Sequence, residues 1–356
     1  MKKLLKQSKF SGAWKVVAGL VAVALSSCTG IFEYEGDCSV DYLLRFRYDK
    51  NLKWADAFAN EVKSVHVYAF DASGRLAGEF TARGAELATE GYAMPLSLPA
   101  GSYHLVAWCG TENEGAARQF EVPAVTVGTT VPGDVTCRIR RGAIDPYASA
   151  SAERLEFMFH GELDVDLPAQ LVGGGEHVET IYLTKDTNHI RIILQQLSGE
   201  DTDPDDFEFR IEDTNGFYAS DNSLLADEEL TYLPFSTGSG VADVGKVDTK
   251  AVMNVKGAIA DLSVGRLMAD HARDMYLTIR NRTNGETVAQ IPLIQYALLS
   301  KDYYEMAYGH RMDDQEFLDR EDEYVLTFFL DENRRWLDSS ILIHSWRIVL
   351  HDYDLK

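Results

Sequence analysis

Leu96-Ser97-Leu98-Pro99-Ala100-Gly101-Ser102-Tyr103-His104-Leu105-Val106-Ala107-Trp108-Cys109 is the stretch that decides the fold class. Leu96-Ser97-Leu98 alternates apolar and polar, and Tyr103 to Cys109 is strand-like, so the reading is strand, turn, strand. Pro99 fixes φ and Gly101 admits a positive one, which lets this trio reverse the chain. The same grammar extends outward in both directions. Val62 to Phe70 is strongly β-like, and Asp71-Ala72-Ser73-Gly74 is a turn leading into another strand. Leu44, Phe46 and Tyr48 alternate on one face of a first strand. Trp54, Phe58 and Val62 recur at i, i+4 and i+8, which predicts a short amphipathic helix between them.

The second half repeats the style. Val178 to Leu183 and His189 to Leu194 are strand candidates, and Phe207, Phe209 and Ile211 alternate ahead of an Asn215-Gly216 turn. Thr283-Asn284-Gly285 sits between Thr278 to Asn281 and Glu286 to Ile294 as the best hairpin turn in the chain. Tyr324 to Leu330 and Ile341 to Leu350 read as closing strands. Short strands with turn signals every ~10–15 residues argue for an all-β chain of sandwich type. No alternation of strand and helix is present of the kind that builds a parallel nucleotide-binding sheet.

The ends carry a different message. A basic leader (Lys2, Lys3, Lys6, Lys9, Lys15) precedes an apolar run from Val16 to Leu25 and then Ser26-Ser27-Cys28. A charged start, a short apolar segment and small residues before a cut make an export signal, here residues 1–27. The apolar run is shorter than the ~20 residues a bilayer crossing needs. Cys28 at the first position after the cut marks a lipoprotein signal, and it is the predicted lipidation site and mature N-terminus. One acyl chain holds a protein to a membrane marginally and two or more hold it stably, so the exported chain is expected to stay at a membrane surface. Residues 28–37 form a short acidic linker.

The formal charge is −22, and removal of the five leader lysines leaves −27. A balance so acidic repels nucleic acid and anionic headgroups. The length left after the leader exceeds the usual size of one domain. Two domains are expected, 38–147 and 148–356, divided near Arg141 to Pro146 ahead of the small-residue stretch Ala148 to Ala152.

No catalytic grouping emerges. There is no nucleophile elbow, no zinc-protease helix motif, no phosphate-binding loop and no dinucleotide fingerprint. The nine histidines are dispersed, so neither a metal nor a cofactor is expected. Cys38, Cys109 and Cys137 read as buried strand thiols, with a bridge among the three as the alternative for an exported chain. Asp201-Thr202-Asp203-Pro204-Asp205-Asp206 opens like a calcium loop, with Glu212 in twelfth place. Its sixth position is Asp206, where such loops need Gly, so a solvated acidic loop is the preferred reading and weak calcium binding the alternative.

Several short motifs occur together in a fixed order. They include Asp37-Cys38-Ser39-Val40, Phe46-Arg47-Tyr48-Asp49, Trp54-Ala55-Asp56-Ala57-Phe58, Leu98-Pro99-Ala100-Gly101-Ser102-Tyr103 and Ala107-Trp108-Cys109-Gly110. Asn215-Gly216-Phe217-Tyr218, Asp221-Asn222-Ser223-Leu224-Leu225, Thr231-Tyr232-Leu233-Pro234 and Gln315-Glu316-Phe317-Leu318-Asp319-Arg320 follow. In this the chain resembles the FimB-type anchor subunits of the type V fimbriae of Bacteroidales. The resemblance implies two tandem transthyretin-like β-sandwich domains and a lipoprotein at the outer membrane. It also implies a non-enzymatic role at the fimbrial base, where the subunit attaches the shaft and limits its length. Its partner would be a fimbrial stalk subunit, engaged by strand complementation. Arg45 and Arg47 in the first strand are expected to be ordinary exposed residues and not processing sites. The rival readings are an adhesin or tip subunit and a glycan-binding surface lipoprotein. The latter needs an exposed aromatic platform, and Trp54, Trp108, Trp336 and Trp346 occupy positions expected to be buried.

Overall fold

The computed structural model describes residues 40–113, 118–171, 175–245, 252–343 and 346–350. Cys28, Cys38, the leader and the acidic linker lie outside the described residues. The chain is mostly strand, in five sheets, consistent with an all-β sandwich. In the first sheet, β1 (Val40–Arg47) lies between β4 (Met94–Pro95) and β11 (Gly175–Tyr182), parallel to the latter. The second centres on β5 (Gly101–Cys109), with β2 (Ser64–Asp71) and β3 (Leu76–Arg83) on one side. Its other side holds β10 (Phe159–Leu167) and β12 (Thr184–Lys185).

Two larger sheets follow. One runs β17 (Ser236–Gly245), β18 (Val252–Gly265), β13 (Thr187–Gln196), β21 (Glu323–Leu330), β22 (Trp336–Ile343), β23 (Trp346–Leu350). The other runs β20 (Thr287–Pro292), β19 (Tyr276–Asn281), β14 (Phe207–Asp213), β16 (Leu230–Tyr232), β9 (Tyr147–Ser151), β8 (Gly142–Ile144). A small sheet joins β6 (Phe120–Glu121), β7 (Cys137–Ile139) and β15 (Phe217–Tyr218). Four short helices complete the described fold: α1 (Phe58–Glu61), α2 (Leu293–Leu298), α3 (Lys301–Tyr308) and α4 (Asp314–Arg320).

Two hydrophobic cores form, and the sheet around β5 faces both. Val67, Ala69, Leu105 and Ala107 enter one core, while Tyr68, Phe70, Val106 and Trp108 enter the other. That explains why Val67 to Phe70 and Leu105 to Cys109 are continuous apolar runs: strands covered on both faces lose their alternation. β14 keeps strict alternation, with Phe207, Phe209 and Ile211 inward. Burial of each such large side chain contributes roughly 1.5–3 kcal/mol.

Several expectations need correction. Sheet membership does not follow a division after residue 147, because β10 and β11 pair with β5 and β1. Leu96 to Leu98 has both leucines buried but belongs to no strand; Leu96 N–H donates to the Tyr42 carbonyl at 2.9 Å. The helix near Trp54 spans only Phe58–Glu61, and Trp54 precedes it at φ 52°. Ile341 to Leu350 is parts of two strands, β22 and β23. The turn at Asp71 is as expected: its Oδ1 accepts from Ser73 N–H (2.8 Å) and Arg75 N–H (3.2 Å), and Gly74 takes φ 74°.

Helices α2 to α4 are absent from the sequence reading, although signals for them are present. Asp313 caps α4, its Oδ1 accepting from Glu316 N–H at 2.7 Å, and Gly309 ends α3 at φ 70°.

Candidate functional site

Trp108, Tyr218, Asn222 and Asp319, from four of the motifs quoted above, are far apart in sequence and come together around His160 and Arg266. Trp108, at the end of β5, is fully buried with its ring centroid 4.7 Å from His160 and 6.3 Å from Tyr218. His160 Nε2 is 2.8 Å from the Ser220 carbonyl, and burial pushes the imidazole down to about 4, so it is neutral at neutral pH. The Tyr218 hydroxyl accepts from Arg266 N–H at 3.0 Å.

Arg266 then closes a bidentate pair on Asp319 of α4, Nε to Oδ1 at 2.7 Å and Nη2 to Oδ2 at 2.8 Å. Lys50 Nζ reaches the same Oδ2 at 2.7 Å, and Gln315 Nε2 donates to Oδ1 at 2.8 Å. Burial works against the Asp319 charge, but the Arg266 bonds and the Lys50 charge together hold its carboxyl below the usual range. On the other side of Arg266, Asn222 Nδ2 donates to Asp186 Oδ1 at 2.8 Å, and Arg266 Nη1 donates to the Asn222 carbonyl at 3.1 Å. Asp186 is fully buried, and burial pushes it up to about 7 against the pull of Arg266. Lys185, also buried, bonds Glu61 at 3.0 Å and Asp322. Burial raises neighbouring Glu321 to about 8.

Asp186 and Asp319 are sealed from solvent on either side of Arg266, with Asp186 Oδ2 left without a hydrogen bond. Charges buried and bonded in this way tie the loop at Lys50, the end of β18 and helix α4 together. The Trp54 loop adds a second clasp. Trp54 Nε1 donates to the Tyr304 hydroxyl at 2.8 Å, and the Arg320 guanidinium lies 3.9 Å from its ring centroid. Contrary to expectation Trp54 remains 44% exposed, while Trp108 is buried and Trp336 packs partly buried against the larger core. Trp346 has no described side chain.

The remaining sequence candidates separate. Cys109 and Cys137 are buried free thiols pushed up by burial, with Cys137 Sγ 3.3 Å from Met158 Sδ. The acidic loop does not gather: Asp203 Oδ1 accepts from Asp205 N–H, Asp201 faces Lys256 at 3.6 Å and Asp206 pairs Arg334 at 2.8 Å. Glu212 lies in β14 and pairs Arg210 at 2.9 Å. Among the described residues no group of three or more His, Cys, Asp or Glu is placed to hold a metal.

What faces outward is a groove and a set of strand edges. The groove, about 630 Å³, is walled by Tyr147, Glu208, Arg210, Arg280 and Arg282, with Thr237 at its rim. The sheets end on β4 and β11, β3 and β12, β17 and β23, β8 and β20, and β6 and β15.

No protein of curated function matches the chain. Among solved structures, a candidate adhesin from Bacteroides thetaiotaomicron is 32% identical, covering 87% of this chain and 97% of that one, with a TM-score of 0.73. A candidate polysaccharide-binding protein from the same organism is 28% identical, covering 89% and 100%, with a TM-score of 0.72. The fimbrial anchor protein Mfa2 from Porphyromonas gingivalis shares the fold at 16% identity, covering 88% and 100%, with a TM-score of 0.59. The family model for fimbrillin-A associated anchor proteins Mfa1 and Mfa2 matches residues 34–352, and the chain belongs to that family.

Proposed function

We propose that this fimbrial accessory protein is the lipid-anchored subunit at the base of the fimbrium. The observation that carries the reading is family membership over residues 34–352, in a chain whose residues 1–27 read as an export leader and whose Cys28 stands six residues before that match. Cleavage before Cys28 and its acylation hold the chain at the outer membrane, and residues 28–37 tether two β-sandwich units to that surface. The sandwiches attach the shaft and limit its length, with strand complementation to a stalk subunit supplying backbone hydrogen bonds and side-chain pockets. The burial of Asp186 and Asp319 away from solvent supports a structural role over an enzymatic one. Replacement of Cys28 by Ala tests this by cell fractionation and electron microscopy. Longer fimbriae shed into the medium are the expected result; fimbriae that stay attached and unchanged overturn the anchoring role.

A second reading rests on the exposure of Trp54 and on the similarity to a candidate polysaccharide-binding protein. The indole, with Arg320 over its ring at 3.9 Å and His310 edge-on at 4.5 Å, keeps enough exposed surface to meet a sugar ring. Retention on immobilised surface polysaccharides, lost with Trp54→Ala, would favour it over the anchor role.

A further inference from the structure

We propose that the free edge of β17 is where an extended segment of a fimbrial shaft subunit adds to this protein. The inference rests on the fimbrial reading above and names its contact. Edges of sheets are templates for another strand, and proteins blunt them with charge, proline, bulges or shortness. The described edges of this chain are blunted in those ways, with one exception. β3 carries Glu79 and Arg83, and Leu76 at its start is bonded to Thr130 and Gly128. β20 has a register shift on its partner after Ile279 and ends in Pro292. β11 carries Glu176 and Glu179, β23 spans five residues and β8 three, and β4, β6, β12 and β15 span two each.

β17 is different. It pairs with β18 over ten consecutive residues, Ser236↔Asp261 to Gly245↔Val252, without a shift. It contains no proline and a single ionisable residue, Asp243. Among the described residues no strand lies on its other side, which leaves an edge of roughly 33 Å.

The register says which groups are offered. Antiparallel neighbours alternate between pairs that exchange hydrogen bonds and pairs that do not. The Asp261 carbonyl accepts from Phe235 N–H at the start of β17, and the Lys256 carbonyl, of opposite parity, accepts from Thr202 N–H away from it. Ser236, Gly238 and Gly240 therefore turn their backbone groups to β18, while Thr237, Ser239 and Val241 turn theirs to the free edge. Gly238 has open space where a side chain would stand, and a Cβ on Gly240 would meet Ile259 Cδ1 at 2.4 Å. The two glycines leave half-buried Ile259, opposite Gly238, open to cover from an incoming strand. Apolar side chains at alternate positions of such a strand fit this trough. Thr237 also borders the groove of about 630 Å³, which leaves room beside the added strand. A second copy of the same acidic chain is disfavoured as occupant, because two bodies of such net charge repel.

The test incubates the purified chain with shaft subunits released from sheared fimbriae of the producing cells. It reads co-purification and deuterium uptake of peptides covering residues 236–241. Uptake there should slow at least tenfold with shaft subunits present. Ser239→Pro removes an outward N–H, a position where edge strands tolerate proline, and should weaken co-purification at least tenfold with an unchanged melting temperature. If wild type binds while uptake at 236–241 is unaltered, this edge is not the contact, although the fimbrial reading stands. The deuterium readout decides even if the proline variant is unstable. Failure of wild type to bind any shaft subunit sinks the fimbrial reading itself and this inference with it. Slowed uptake on concentrating the chain alone would make a second copy the occupant and overturn the proposal.

Discussion

Lys50 and Asp319 stand 269 positions apart in sequence, yet Lys50 Nζ lies 2.7 Å from Asp319 Oδ2. Arg266 holds the same carboxylate from its other side at 2.7 and 2.8 Å, so one buried anion gathers the loop after β1, the strand end at β18 and helix α4. A motif residue of α4 thus serves as the knot of the fold.

Removal of that anion leaves Arg266 beside Lys50 with Asp186, at 3.7 Å, as its remaining carboxylate. Asp319→Ala is expected to cost about 3–5 kcal/mol, because loss of one partner strands a buried charge. Urea denaturation of the purified chain measures it, and a loss below about 1 kcal/mol would show that the cluster contributes little net stability.

The pH dependence follows from Asp186, raised by burial from 3.8 to about 7. A carboxyl raised on folding favours its protonated form, so its contribution is complete below the unfolded value and is lost as pH rises toward 7. Glu321, raised from 4.5 to about 8, acts in the same direction. His160, lowered from 6.5 to about 4, opposes them, costing stability as pH falls through that window. Asp186→Asn removes one of these titrations, and each tenfold change in proton affinity on folding is worth roughly 1.4 kcal/mol. The variant should therefore gain on wild type between pH 5 and pH 8. Urea midpoints at the two pH values check the sign.

Gly110, which follows the buried Trp108-Cys109 pair, takes φ 79° and has no room for a side chain: a Cβ would lie 1.8 Å from the Phe157 carbonyl oxygen. Gly110→Ala is expected to destabilise by about 2 kcal/mol or more through backbone strain and displacement. Gly74, with φ 74° and open space around it, provides the comparison, since Gly74→Ala meets the conformational penalty alone. Thermal melts of the two variants separate clash from strain.

Cys109 and Cys137 should resist iodoacetamide in the folded chain and react fully in urea, since thiolate formation is suppressed in a dry interior. Peptide mass mapping assigns the label to each position. Rapid labelling of either thiol under native conditions would contradict its burial.

Local chemistry determined what the sequence alone could decide. Period-2 alternation, as in Phe207, Phe209 and Ile211, and turn residues such as Asp71 to Gly74 act over a few positions, and they produced the all-β class and many of the strands. The motif order led to the anchor family in the same way. The partnerships were decided only by the tertiary structure. The sequence contains no sign that β10 and β11 would cross back to pair with β5 and β1, because strand pairing depends on loop closure and competing edges across the whole chain. Nor could it show that Trp54 would stay half in water while Trp108 was sealed, since the two tryptophans differ in what the remote helices α3 and α4 bring to them. Lys50, Arg266 and Asp319 read as three ordinary surface charges until folding removes the water between them. That desolvation is a property of the assembled cores, and no segment carries it by itself.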